Sequence, residues 1–129
     1  MKPISKLTIL MLALMLSTVA SSKSLVRDFR GTDNMTTPMF TVDGPWLLDW
    51  RLDTDYTQLT ALHITLIDAS NGRHVGDVLR TQRRGNGVKL FEEGGTYQLR
   101  VSSTLARWRI KIEQITEEEA TQYTPRREN

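Results

Sequence analysis

The sequence predicts an all-β domain: an antiparallel β-sandwich of about seven strands, followed by a short C-terminal helical turn. Three observations carry that reading. Tyr97, Leu99 and Val101 alternate with Gln98, Arg100 and Ser102, and beyond a short break Trp108, Ile110 and Ile112 alternate with Arg107, Arg109, Lys111 and Glu113. A period of two gives a strand one apolar face and gives a helix none. Further short strand candidates recur between turn signals, without an internal repeat. No helical pattern intervenes between them, which disfavours a parallel α/β arrangement. A small barrel fits the same spacing.

The elements follow in chain order. Residues 1–20 read as a secretory signal peptide, because Lys2 and Lys6 precede the apolar run 7–16 and small residues surround Ala20, the expected cleavage point ahead of Ser22. That run is about half of the roughly 20 residues that cross a bilayer, so no membrane span is expected after cleavage. The remaining 109 of 129 residues suffice for one domain. Residues 21–38 are rich in Ser, Thr, Asp and Asn and read as a flexible leader, in which Leu25, Val26 and Phe29 could dock as a short strand.

The sandwich proper is expected over residues 39–115. Phe40 and Val42 share a face, and Asp43-Gly44-Pro45 marks a turn. Trp46, Leu48, Trp50 and Leu52 then alternate with Leu47, Asp49, Arg51 and Asp53, and Leu62, Ile64 and Leu66 with His63, Thr65 and Ile67. Asn71-Gly72 signals a tight hairpin whose two central residues take positive φ. Its second strand, 73–80, would turn Val75 and either Val78 or Leu79 inward, the adjacent apolar pair suggesting a bulge. Residues 81–87 form a loop, Val88 and Leu90 a short strand with Phe91 at its edge, and residues 94–115 a hairpin. In that hairpin Arg100 would oppose Arg109, a like-charge pair unfavourable by up to about 1 kcal/mol. Asp49 and Asp53 would screen it if the strand from Trp46 to Leu52 lay beside the Trp108 strand, which would also gather Trp46, Trp50 and Trp108. Over residues 116–129, Thr116 and Glu119 form a capping box that opens a short helix before a frayed tail.

The order Phe40-Thr-Val42, Leu62 to Asp68 with Asn71-Gly72, Gly94-Gly95-Thr96-Tyr97-Gln-Leu-Arg-Val101, and Trp108-Arg-Ile-Lys-Ile112 is similar to bacterial secreted jelly-roll modules. It resembles the pre-peptidase C-terminal domain family over about residues 40–115. It also looks like small exported β-sandwich proteins with a W-x-L-x-W strand, read here at Trp46 to Trp50. The resemblance implies a jelly-roll-like fold and an accessory or binding role, and it carries over no catalytic residue.

Composition narrows the chemistry. The chain has no cysteine, hence no disulfide, thiol nucleophile or cysteine-linked lipid anchor. Its 17 basic residues fall to 15 once Lys2 and Lys6 leave with the signal, equal to its 15 acids, so global charge gives no reason to expect nucleic acid. His63 and His74 are the two histidines, and neither has a ligand or nucleophile at motif spacing, so both read as solvent-facing. Asp53, Asp55 and Asp68 lack a complete calcium loop and read as turn stabilisers. Arg80, Arg83 and Arg84, beside glycines, are candidate contacts for a polyanion. Trp46, Trp50, Tyr97 and Trp108 are assigned to the core rather than to a sugar-stacking surface. Leu47 and Ile67 are outward apolar residues that would mark a partner patch. No cofactor, metal or catalytic residue is assigned. The expectation is an exported, non-enzymatic sandwich, periplasmic or secreted, that binds or supports a protein or polysaccharide of the bacterial envelope. A carbohydrate-binding module is the alternative, and a small hydrolase a more distant one.

Overall fold

A computed structural model describes residues 23–123; the signal peptide reading and the end of the tail lie outside them. Nine strands occur among the described residues: β1 (Ser24–Gly31), β2 (Met35–Thr36), β3 (Phe40–Val42), β4 (Trp46–Asp53), β5 (Ala61–Asp68), β6 (Arg73–Thr81), β7 (Gly85–Phe91), β8 (Gly95–Thr104) and β9 (Arg107–Gln114). One sheet has the order β1-β9-β4-β7 and the other β2-β8-β5-β6, with β3 also paired to β8. All strand pairs are antiparallel. Since β2 and β3 both lie along β8, the nine strands fill eight positions. Apart from β5 and β6, and the short β2 and β3, consecutive strands lie in opposite sheets. Two four-position sheets wound in this order make a jelly roll.

The alternating residues form the interior. Trp46, Leu48 and Leu52 of β4 and Trp108, Ile110 and Ile112 of β9 face Leu62, Ile64 and Leu66 of β5 and Tyr97, Leu99 and Val101 of β8, all buried in one core. Each fully buried aliphatic contributes about 1.5–3 kcal/mol, and without disulfides this burial holds the sheets together. Trp46 stacks on Phe91 at 4.3 Å between centroids and meets Phe40 edge-on at 5.8 Å. The tryptophans share the inner face without forming a cluster. Trp108 lies under Gly31, where a Cβ would come within 2.6 Å of the indole, and Trp50, half-buried, lies against Gly87.

Several expectations are corrected. The segment 94–115 is an arch between the sheets, with β8 in one and β9 in the other. Alternation marks both strands as core-facing but is the same whether two strands pair or face each other across the core. The Arg100–Arg109 opposition therefore does not exist: Arg100 lies between Thr36 and Thr65 in the second sheet. The neighbour relation inferred from it does hold, for β4 pairs with β9 and sets Asp49 opposite Lys111 and Asp53 opposite Arg107.

Residues 24–31, read as part of a mobile leader, form the edge strand β1 on β9. A register shift between Leu25 and Arg27 turns Val26 and Phe29 toward the core, so the strand lacks strict alternation. Thr37, also in that leader, is buried, its amide donating to the Leu99 carbonyl and its hydroxyl accepting from the Leu99 amide. The β5–β6 turn is longer than the two-residue form: Gly72 N donates to Asp68 O at 2.8 Å, and only Gly72, at φ 73°, is left-handed. In β6 register shifts place both Val78 and Leu79 against the core and leave Val75 exposed.

Leu47 and Ile67 form no surface patch, because both are buried. Ile67 lies on a central strand between Gln98 and His74, whose side chains flank it on both sides. Leu47 is fully buried on the outer face of β4, outside the inter-sheet core. Its ladder neighbour Glu113 pairs with Lys23 at 3.5 Å, and the Lys23 ammonium lies 6.0 Å from the Tyr123 ring. Lys23 thus ties the C-terminal turn to the strand beside Leu47. The turn comprises α1 (Glu117–Ala120), opened by the Thr116/Glu119 capping box, and a 3-10 turn (Thr121–Tyr123).

Candidate functional site

The register of the first sheet assembles a row of like charges on its outer face. Arg30 of β1 opposes Arg109 of β9, Arg109 opposes Arg51 of β4, and Arg51 opposes Asn86 of β7. Directly opposed like charges are destabilising. Toward the adjoining loops the face gains Arg107 of β9 and Arg84 from the β6–β7 turn. These five arginines, with Leu52, Asp53, Asn86 and Trp108, line one open groove of about 400 Å³.

Three carboxylates partly compensate the row. Asp28 accepts from Arg109 Nε and Nη2 at 3.0 and 2.7 Å, a two-point pair, and lies 3.5 Å from Arg30. Asp53 and Asp55 both accept from Arg107, at 2.9 and 3.0 Å, and Arg84 reaches Asp53 at 3.3 Å and the Thr54 carbonyl at 2.6 Å. The hydrogen bond from Arg109 holds Asp28 below the usual carboxylate range, and those from Arg107 do the same for Asp53 and Asp55. All three stay ionised and fix Arg107 and Arg109 in place. Arg51 makes no ion pair or hydrogen bond from its side chain among the described residues, and it is exposed. Arg30, with one long contact, is two-thirds exposed. The face therefore offers forked, always-charged donors beside others already oriented, an arrangement suited to carboxylate, phosphate or sulfate oxygens.

Of the proposed polyanion contacts, the groove includes Arg84 alone. Arg83 lies in the turn, with its amide on the Thr81 hydroxyl, and Arg80 sits on the outer face of the other sheet opposite His63. Arg30, Arg51, Arg107 and Arg109 escape a sequence reading because each is an ordinary outward position on its strand. The signal is that all four lie near the same end of the sheet, at the C-terminal ends of β1 and β4 and the N-terminal end of β9, and it becomes legible only once the strand order is known.

His63 and His74 do come together, through Asp77, whose Oδ1 lies 2.9 Å from His63 Nε2 and 3.7 Å from His74 Nε2. The His63 hydrogen bond lowers the Asp77 pKa. Ser102 faces His63 in the ladder, yet no hydrogen bond joins them among the described residues. No cluster of three His, Cys, Asp or Glu suited to a metal ion occurs among the described residues. Asp68 accepts from the Ser70 amide and Asn71 from the Arg73 amide, both turn-stabilising bonds. Trp46 and Trp108 are buried, their indole nitrogens donating to the Glu93 and Asp33 carbonyls. Comparison with protein-family models and with curated proteins gives no match.

Proposed function

We propose that the protein is an exported, non-catalytic binding module of the bacterial envelope, and that its arginine face takes the anionic groups of an envelope polymer. The observation that carries this reading is the groove lined by five arginines and one acid, Asp53, in which Arg51 is open. Burial of Trp46 and Trp108 favours recognition of charge over stacking on neutral sugar rings. The signal peptide reading supplies the compartment, and the likeness to secreted jelly-roll modules accords with a binding role.

The test is calorimetric titration with heparin and with polygalacturonate, using dextran as the neutral control. Binding to both acidic polymers is expected, with none to dextran, and affinity should fall steeply with salt. Arg51→Gln should weaken binding several-fold and reduce the salt slope by roughly one unit. Asn86→Asp, which sets a carboxylate beside Arg51, should weaken it similarly without removing an arginine. Arg100→Gln, on the opposite sheet, should change nothing. Equal losses from Arg51→Gln and Arg100→Gln, or equal binding of dextran, would sink the proposal.

A further inference from the structure

The arginine-lined groove has a chemically reactive pair in its wall. Asn86, which lines it, is followed by Gly87, the second of two Asn-Gly pairs in the chain after Asn71-Gly72. In such a pair the glycine nitrogen can attack the side-chain carbonyl carbon of the asparagine, a ring closure that a side chain on the second residue hinders. Packing holds residue 87 to glycine: a Cβ there would lie 2.8 Å from Nε1 and 3.0 Å from two ring carbons of the half-buried Trp50. No larger residue relieves the pair without displacing that indole.

Nothing holds the Asn86 side chain. It is exposed and makes no hydrogen bond among the described residues. In the other pair both reacting groups are engaged: Asn71 Oδ1 accepts from the Arg73 amide at 2.8 Å, and Gly72 N donates to the Asp68 carbonyl at 2.8 Å. An extended backbone keeps the Gly87 nitrogen away from the Asn86 side chain, so ring closure requires a local opening of the strand. Asn86 is the second residue of β7, an edge strand paired on one side with β4, and the exposed residues 82–84 lead into it. Such ends, with few contacts, are where local opening costs least.

We infer that Asn86 is a deamidation site and that its conversion closes the anion face. The Gly87 nitrogen gives up its proton and bonds to Asn86 Cγ; the Cγ–Nδ2 bond breaks, ammonia leaves, and a five-membered cyclic imide remains. Water then opens the imide at one carbonyl or the other, giving aspartate or isoaspartate with no change of oxidation state. Either product carries a carboxylate where a neutral amide stood, directly across from Arg51. Arg51 thereby gains an internal counterion and no longer offers a free fork to an external anion. Isoaspartate also adds one carbon to the main chain and displaces the β7 ladder. The face is open in newly made chains and closes with age. The modification stands on its own chemistry, while its effect on binding rests on the polymer reading.

The test ages the exported chain in mildly alkaline buffer at physiological temperature, with the tryptic peptide 85–89 followed by mass spectrometry. That peptide should gain the mass of an amide-to-acid change, and heparin affinity should fall several-fold in step with the conversion. Asn86→Gln, whose larger ring closes far more slowly, should hold whatever affinity it starts with over the same period. An intact Asn86 after a free peptide of residues 81–91 has converted overturns the inference. So does conversion that leaves heparin affinity unchanged while Arg51→Gln lowers it, or an equal decline in Asn86→Gln. Fresh protein that binds no heparin fails the polymer reading and the closure with it, and the mass change still decides the modification site.

Discussion

Replacing Leu47 with Ala distinguishes a residue facing solvent from one roofed by the C-terminal turn. Leu47 points away from the inter-sheet core, yet it is fully buried. Truncating a buried leucine costs about 2–5 kcal/mol, depending on how far the surroundings collapse into the space. On the roofing reading the cover is a four-residue helix and a 3-10 turn that bury no side chain of their own, so it can settle inward. That places Leu47→Ala at the lower end, about 2–3 kcal/mol, a fall in Tm of roughly 10–20 °C for a domain of this size. Thermal unfolding followed by circular dichroism reads the shift. Deleting residues 116–129 removes the roof, so in the shortened chain the same substitution should cost much less, with a coupling of at least about 1 kcal/mol in the double-mutant cycle. A Leu47→Ala loss within about 0.5 kcal/mol, the usual range of a surface site, would refute the roofing argument. So would an equal cost in both backgrounds.

Two further predictions concern the charged face and its floor. Asp28, Asp53 and Asp55 have folded-state pKa values below the ordinary 3.8, so their stabilising contribution is complete above that value and fades as pH falls through the folded values. Tm should be level above about pH 5 and drop below about pH 4, while affinity for heparin, whose sulfates stay ionised, should rise over the same acid interval until unfolding intervenes; an affinity that falls there would contradict the assignment of these acids as competitors for the arginines. Gly31→Ala would put a Cβ 2.6 Å from the Trp108 ring, whose nitrogen is tethered to the Asp33 carbonyl at 3.1 Å, so overpacking should cost about 1–3 kcal/mol in urea unfolding, and a neutral result would mean that the indole moves freely.

Much of this fold is legible in single strands and little of it in their pairing. The core faces of β4, β5, β8 and β9 follow from alternation, the C-terminal cap from Thr116 and Glu119, and the β6 bulge from the adjacent Val78 and Leu79. β1 is obscured because an edge strand leaves much of its length in water and a register shift after Leu25 breaks the period. The β8–β9 arch is obscured for a different reason: facing and pairing strands carry the same pattern, and only the jelly-roll order decides between them. Leu47 looks exposed because alternation identifies the face of a residue and says nothing of what folds over that face.

The candidate site has the same origin. Charge summed over the chain without its expected signal peptide reports a balance, whereas a row of opposed side chains depends on register. Asp28 supplies the two-point partner of Arg109, where the sequence pattern offered Asp49 and Asp53 as a screen. Asp49 instead stands opposite Lys111, two residues along β4 from Arg51 and on the same face. Arg51 then has only Arg109 and the neutral Asn86 across from it. An aspartate in place of Asn86 would be nearly isosteric and would close the row with an internal ion pair. The amide at that position leaves an exposed member of a like-charge row without a counterion, a cost that binding an external anion would remove.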